Sequence, residues 1–280
     1  MKEIIESIPI VHAIDGWVSS SSRDEPVTII DLCSGKGYLS MLLSEYLPSR
    51  KVKKFILIDK AWPMCFAEPQ SHHINWDHIY GNYTTVTTDE ITTKKSYFST
   101  WPIPLHTSKQ DLKQKSTIRQ LQKRLNNGGP TFILGVHLCG TLSIQAVKLF
   151  HTLDSVEGLI LKPCCLPGML HERRQENFMI GQYAFPTKEV CSSGKWKNKQ
   201  WDGPPRWHLE KKFNTWCHHL HQGMQDCSNV ETRLVEIPVQ TSGGFQNTFL
   251  FAEKQPKTSS LWDRIPQDQE ATGLFSDNIR

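Results

Sequence analysis

The sequence has no run approaching the ~18 consecutive apolar residues of a membrane-spanning helix, so no span and no membrane partner are expected. It also lacks the basic start and long apolar stretch of a secretion signal, opening instead on the acidic, amphipathic Met1-Lys2-Glu3-Ile4-Ile5-Glu6. A cytoplasmic location is therefore expected, with the nucleus as the other candidate compartment. No large charge excess is present: 32 Lys and Arg stand against 28 Asp and Glu, a net +4 over 280 residues. That balance permits an anionic partner without demanding one. Eight cysteines are too sparse for a disulfide scaffold, no C-x-x-C pair occurs, and Cys164 and Cys165 are adjacent, so reduced thiols are expected. There are no internal repeats. With 38% hydrophobic residues and a mean hydropathy of −0.43, the chain has material for a full core. What is plentiful is Trp, at nine residues.

The order of elements speaks for an α/β fold. Ile4, Ile5, Ile8, Val11 and Ile14 lie at helical spacing, which predicts a helix over 1–19, followed by a Ser-rich loop to residue 26. Val27–Leu32 is a β-branched apolar run suited to a strand buried on both faces. A glycine turn, a helix over 38–47 and a second strand over 54–59 complete a βαβ unit, which implies a right-handed crossover and a parallel sheet. A short third strand or extended segment is expected at 101–106, a helix at 112–125, a fourth strand at 131–137, a helix at 141–151 and a fifth strand at 156–162. Residues 208–224 predict a helix. Thr232–Val239 and Asn247–Ala252 predict a closing antiparallel hairpin whose loop holds Gly243 and Gly244. The expected organisation is an N-terminal helix and loop (1–26), one catalytic domain (27–253) with a long insertion at 169–207, and a polar tail (254–280).

The strongest local signal is Asp31-Leu32-Cys33-Ser34-Gly35-Lys36-Gly37-Tyr38, placed between the first strand and the first helix. Glycines there let the backbone turn and approach a ligand, and ligands of open α/β sheets lie at the carboxyl ends of the strands. The next strand ends in Asp59, at the place and spacing of an acid that accepts ribose hydroxyls. A third glycine for a dinucleotide fingerprint is missing, since Ser40 stands there, and a phosphate-binding P-loop is incomplete. The pattern D-x-x-x-G-x-G is that of Rossmann-like enzymes that use S-adenosylmethionine (SAM). On this reading Asp31 orients the methionine end, Gly35 and Gly37 admit it, and Asp59 holds the ribose. Asp111 meets the adenine amino group and Leu112 packs on the ring. Cys33, Ser34, Tyr38, Lys60 and His137 complete the expected cofactor contacts. The bland alternative is a tight turn with a solvated Asp59 and an unrelated Asp111.

Three strings, Leu32-Cys33-Ser34-Gly35-Lys36-Gly37-Tyr38-Leu39-Ser40, His137-Leu138-Cys139-Gly140 and Lys162-Pro163-Cys164-Cys165, resemble the marks of one SAM-dependent methyltransferase superfamily. It includes the eukaryotic tRNA acceptor-stem 2′-O-methyltransferase and several methyltransferase-like relatives. The resemblance covers about residues 27–170 and the final hairpin. It implies a class I Rossmann-like methyltransferase, a mostly parallel seven-stranded sheet with a C-terminal antiparallel hairpin, and RNA (tRNA or rRNA) as the substrate class. The tRNA enzyme has an N-terminal zinc-binding Cys/His module. Residues 1–26 here hold no Cys and one His, His12, and the paired cysteines are followed by Leu166-Pro167-Gly168 rather than His.

Methyl transfer chiefly requires alignment of nucleophile and methyl, and sometimes removal of a proton. His137, at the end of the fourth strand, is the candidate general base or positioner; the alternative is a ring that bonds backbone. Cys139, Cys164 and Cys165 end neighbouring strands and admit three readings. One is a nucleophilic thiolate, Pro163-Cys164 matching a dipeptide of some pyrimidine C5-methyltransferases. The others are a metal site with His137 and inert packing beside the cofactor. Lys162 pairs with Asp59 or a substrate phosphate, or merely reaches water. Cys217 and His221 sit four apart on a helix but lack further ligands, so no metal site is expected there.

The connection at 169–207 is unusually long. Cations and rings alternate in it: Lys195, Trp196, Lys197, Lys199, Trp201, Arg206 and Trp207, with His171, Arg173 and Arg174 upstream. Residues 194–212 hold six cations against two carboxylates, a local +4 equal to that of the whole chain, and three of the nine Trp. Cations that meet phosphates and rings that stack on bases suit RNA; the alternative is a structural loop whose Trp side chains pack on the body. Methylation of a small molecule or a protein, and a non-catalytic SAM-binding scaffold, are the competing functions.

Overall fold

In the computed structural model, residues 2–20, 25–64, 67, 69–81, 100–125, 128–198, 200–226, 229–237 and 246–254 are described. The elements run α1 (Lys2–Ser20), β1 (Val27–Leu32), α2 (Tyr38–Tyr46), β2 (Val52–Asp59), α3 (Asp77–Tyr80), β3 (Leu105–Lys109), α4 (Lys115–Leu125), β4 (Thr131–Leu138), α5 (Leu142–Thr152) and β5 (Val156–Pro163). They continue with α6 (Met169–Arg174), β6 (Asn177–Ile180), β7 (Tyr183–Pro186), α7 (Thr187–Val190), β8 (Lys195–Lys197), β9 (Gln200–Asp202), α8 (Arg206–Met224), β10 (Val230–Glu236) and β11 (Thr248–Lys254).

Seven strands form one sheet in the order β10-β11-β5-β4-β1-β2-β3. All pairings from β5 through β3 are parallel, and β11 runs antiparallel to both β5 and β10. This is the expected class I methyltransferase architecture, closed by the C-terminal hairpin. The apolar β1 run is buried along its whole length, as a central parallel strand requires. Alternate β1 residues feed two cores: Ile30 and Leu32 face the side of α4, α5 and α8, and Val27 and Ile29 face the side of α1 and α2. Chain order reverses between β1 and β4, so a crevice opens there at the carboxyl ends of the strands.

Several boundaries differ from expectation. The third strand is Leu105–Lys109, not 101–106, because Pro102 and Pro104 lack the N–H a ladder needs; only the Pro104 carbonyl joins, accepting from Phe55 N–H at 2.8 Å. The helix expected from 112 starts at Lys115, after a turn in which Asp111 Oδ1 accepts the Lys113 N–H at 2.9 Å. The buried face of α1 is Ile10, Ala13, Ile14, Trp17 and Val18, while Ile8 and Val11 are half-buried; the side chains of Ile4 and Ile5 lie outside the described residues. Trp17 sets that face. Its ring meets Phe132 edge-on at 4.5 Å, and its Nε1–H donates to Glu253 Oε1 at 2.8 Å. The insertion is not irregular: it carries two short helices and two small hairpins, β6-β7 and β8-β9, whose three- and four-residue strands are too short to show a period. The final hairpin pairs Val230–Glu236 with Thr248–Lys254. Its expected Gly243-Gly244 loop and the tail from residue 255 lie outside the described residues.

Candidate active site

The crevice is a cleft of about 440 Å³, lined by the β1–α2 loop from Cys33 to Tyr38, by Asp31, Leu39 and Leu42, by Val136 and His137 of β4, and by Ser7 of α1. The two loop glycines have different work. Gly37 has φ +78°, and a Cβ there would sit 2.3 Å from Leu57 Cδ2, so the close seating of α2 on β2 excludes a side chain. Gly35 has φ +54°, and a Cβ there would meet nothing within 4 Å. Open space therefore stands over Gly35, on the side a ligand would occupy.

Asp59 ties this loop to the second strand. Its Oδ2 accepts the Gly35 N–H at 3.1 Å and its Oδ1 accepts the Ala61 N–H at 2.8 Å. Asp31 is 3% exposed and receives the Ser40 hydroxyl at 2.8 Å. Burial pushes its pKa up to about 7; the Ser40 bond opposes that rise and the Asp59 charge adds to it. Burial, together with those two carboxylates, likewise pushes the Cys33 thiol up to about 12. Ser34 Oγ accepts the indole N–H of Trp62 at 3.2 Å. Tyr38 is exposed at the rim, between this cleft and a second of about 410 Å³ lined by Lys36, His72, His73, Ile74, Asn75 and His78.

The adenine-side expectations divide. Gln110 N–H donates to Asp59 O at 3.2 Å, which keeps the Gln110–Asp111 corner beside the end of β2. Asp111 serves there as a turn cap. Leu112 is 2% exposed and shares a core cluster with Ile30, Ile56 and Leu121, so its place is packing and not a ring platform. Lys60 is exposed past the strand end and does not line the cleft. Lys162 is buried, with its ammonium 5.8 Å from the centre of the Phe249 ring. Three strand spacings of about 4.8 Å separate β5 from β2, which sets Lys162 apart from Asp59.

At the carboxyl ends of β4 and β5 the backbone departs from the ladder. The β4–β5 register shifts between Val136 and Leu138, and His137 sits exposed at φ +64°, a strained region for a non-glycine residue. Cys139 Sγ lies 3.3 Å from Cys164 Sγ, which lies 3.6 Å from Cys165 Sγ. The hydrogen bonds from Cys164 and then Cys165 hold Cys139 down at about 3, and the same sharing raises Cys164 and Cys165. The three thiols titrate together as one cluster. Gly140 N–H donates to Cys165 O at 3.3 Å and Ser143 Oγ to Leu138 O at 3.0 Å, so both strand ends are pinned. Cys217 and His221 do not converge: Cys217 is buried in the core and His221 Nε2 bonds Thr232 Oγ1 at 3.0 Å.

The insertion is rooted at this rim. Ser192 N–H donates to Pro167 O at 3.0 Å, and Gly168 bridges to Ser192, so the β8-β9 hairpin springs from beside the paired cysteines. Lys197 pairs with Asp202 at 2.6 Å, both exposed. Trp201 packs its ring on Gly194 and Gly203 and donates its N–H to Pro204 O at 2.8 Å, leaving one edge in solvent. Trp207 is 68% exposed and Arg206 is exposed beside it. The backbones of Lys195 and Trp196 form β8, while their side chains and Lys199 lie outside what is described. Lys212, part of the basic stretch, is a structural strut instead, donating to the carbonyls of Lys188 and Cys191 at 2.9 and 2.6 Å.

Sequence reading missed Ser7, Ser40 and Trp62 as parts of the site. Ser40 had a signal, since a serine nine residues after a buried strand acid falls on the first turn facing it. Ser7 had none, because only the packing of α1 brings it to the cleft.

The methyltransferase domain family matches this chain over residues 1–172, more than half its length. No curated protein matches significantly. Among solved structures, the plantazolicin methyltransferase BamL, in complex with a triazolic desmethylPZN analog and SAH, is 12% identical. It aligns over 90% of this chain and 85% of its own, with a TM-score of 0.44. A SAM-dependent methyltransferase from Agrobacterium tumefaciens is 11% identical over 90% of this chain and 62% of its own, with a TM-score of 0.40. The methyltransferase domain of bacterial CtHen1 is 14% identical over 88% and 97%, also at 0.40. Likenesses this distant carry no argument, so the assignment rests on the family match and the strand order. The chain belongs to the methyltransferase domain family.

Proposed function

We propose that this methyltransferase takes its methyl group from SAM and delivers it to RNA, tRNA or rRNA, in the cytoplasm or the nucleus. The observation that carries the cofactor is the cleft at the switch point, open over Gly35, with the buried Asp31 in its lining and Asp59 holding the Gly35 N–H of its loop. Asp31 binds the methionine ammonium, Asp59 orients the ribose, and the Gly35-Gly37 loop lets the backbone approach. When bound, SAM supplies a methyl activated by a sulfonium. His137, exposed on the β4 lip of that cleft, takes the proton of the attacking group or holds that group in line. The RNA reading is supported by the superfamily marks and by the rings and cations of the β8-β9 arm, with Trp207 and Arg206 presented to solvent at the start of α8.

Calorimetry with SAM and with its demethylated product tests the cofactor. Asp59→Ala is expected to weaken binding by about tenfold or more, as loss of a partly buried charged hydrogen-bond partner does; unchanged binding overturns the cofactor reading. Filter binding of tRNA with Lys195, Lys197 and Arg206 changed to Glu tests the substrate. Weaker binding with a shallower salt dependence supports it, and unaltered, salt-insensitive binding removes the arm as an RNA surface.

A further inference from the structure

Three sulfurs, from the ends of two neighbouring strands, lie within 4.8 Å of one another. Cys139, Cys164 and Cys165 are the one such group of His, Cys, Asp or Glu donors among the described residues. Their spacing has a geometric meaning. Zinc binds thiolate sulfur at about 2.3 Å in a tetrahedron, whose edge is then about 3.8 Å. The observed separations of 3.3 and 3.6 Å, with the third no longer than 4.8 Å, are close to the edges of one tetrahedral face. A disulfide is a different object, needing sulfurs at about 2.05 Å.

We propose that Cys139, Cys164 and Cys165 form a Cys₃ site for a soft divalent cation, zinc first, with its fourth position open to water or an incoming ligand. Three thiolates select zinc over magnesium or calcium, which take oxygen donors. The cage is preorganised by backbone: the Gly140 N–H bond to Cys165 O ties the two strand ends to each other, and the Leu142 N–H bond to Cys139 O at 3.3 Å fixes the turn that carries Cys139. Cys139 and Cys165 are exposed, so an ion can enter, and it would face solvent at the rim that holds His137. The described residues place no fourth donor within the group, and the His137 ring is not part of it. A site with three protein ligands and one free position is the form zinc takes where it meets substrate, whereas structural sites are closed by four. The inference stands whether or not the neighbouring cleft takes SAM.

The test uses the full chain, purified reduced and stripped of metal, then titrated with zinc chloride or cobalt chloride. One equivalent is expected to bind, with cobalt giving the intense visible bands and the sulfur charge-transfer band of a tetrahedral thiolate site. Mass spectrometry after alkylation is expected to show Cys139, Cys164 and Cys165 protected by zinc, with Cys191 and Cys217 unaffected. Cys164→Ser is expected to lower zinc affinity at least a hundredfold. His137→Ala is expected to leave stoichiometry and cobalt spectrum in place. No metal uptake by the reduced wild-type chain, or no zinc-dependent protection of these three thiols, overturns the proposal without reference to any variant's folding. Loss of the cobalt spectrum in a folded His137→Ala chain overturns the open fourth position.

Discussion

Two sides of the same sheet edge are built differently. On the β1 side the loop from Asp31 to Tyr38 is set mainly by backbone, through two glycines and the Gly35 and Ala61 N–H groups held by Asp59. On the β4–β5 side the surface is set by side chains: a strained His137, three thiols, and an arm of rings and cations. Backbone geometry suits a ligand that is the same in every turnover. Side-chain geometry can be rewritten without disturbing the strands. The difference is what a methyltransferase needs if one side holds a common donor and the other its particular acceptor.

The sharpest way to break this contrast is the glycine pair. Gly37→Ala is expected to destabilise the chain by about 2–4 kcal/mol, from the left-handed φ and the collision with Leu57. Gly35→Ala should cost only about 1–2 kcal/mol, from φ alone, while still weakening the cofactor. Equal losses in urea melts would show that the loop makes no room for a ligand. Next comes Asp31→Asn, expected to weaken SAM about 10- to 100-fold at pH 8, as removal of a buried charge partner does, with tRNA binding unchanged.

Asp31 also gives a pH signature. Its carboxyl titrates near 7 when folded against an ordinary value of 3.8. The folded state thus holds a proton that the unfolded chain releases, and this contribution to stability is complete below about pH 4 and lost as pH rises to 7. Without ligand, stability is expected to fall over that window, and Asp31→Asn to flatten the fall. SAM affinity should run the other way, rising as pH passes 7. A smaller effect lies on the arm: Trp207→Ala is expected to cost about 1–3 kcal/mol of RNA binding by lost stacking and to leave SAM affinity alone. Smallest is Lys197→Ala, whose exposed pair with Asp202 should contribute under about 1 kcal/mol to thermal stability.

The two sides were unequally legible. Val27–Leu32, Thr131–Leu138 and Val156–Pro163 announce themselves as strands because burial on both faces demands continuous apolar runs. The βαβ rule then makes β4 and β5 neighbours, so the meeting of Cys139 with Cys164 could be anticipated from topology. The strain at His137 could not, since no residue pattern encodes a register shift. Pro102 and Pro104 misled the eye toward an early third strand whose ladder could only start beyond them. Leu112 looked like a ring platform by position, but its apolar character served the core first. In the insertion, hairpins of three or four residues form because tertiary contacts hold them, such as Trp201 on two glycines, and such contacts leave no periodic trace.

The last strand has a consequence for how the molecule comes into being. β11 lies between β5 and β10, and its Glu253 takes the indole N–H of Trp17 from 236 residues earlier. During synthesis, β5 waits as an open apolar edge and the first helix waits without its anchor until residues 248–254 leave the ribosome. Closure of the sheet is therefore a late, long-range event that depends on the whole intervening chain, insertion included, and exposed edges of this kind recruit other chains. A chain stopped before residue 248 should associate with itself while it retains every residue that lines its cleft.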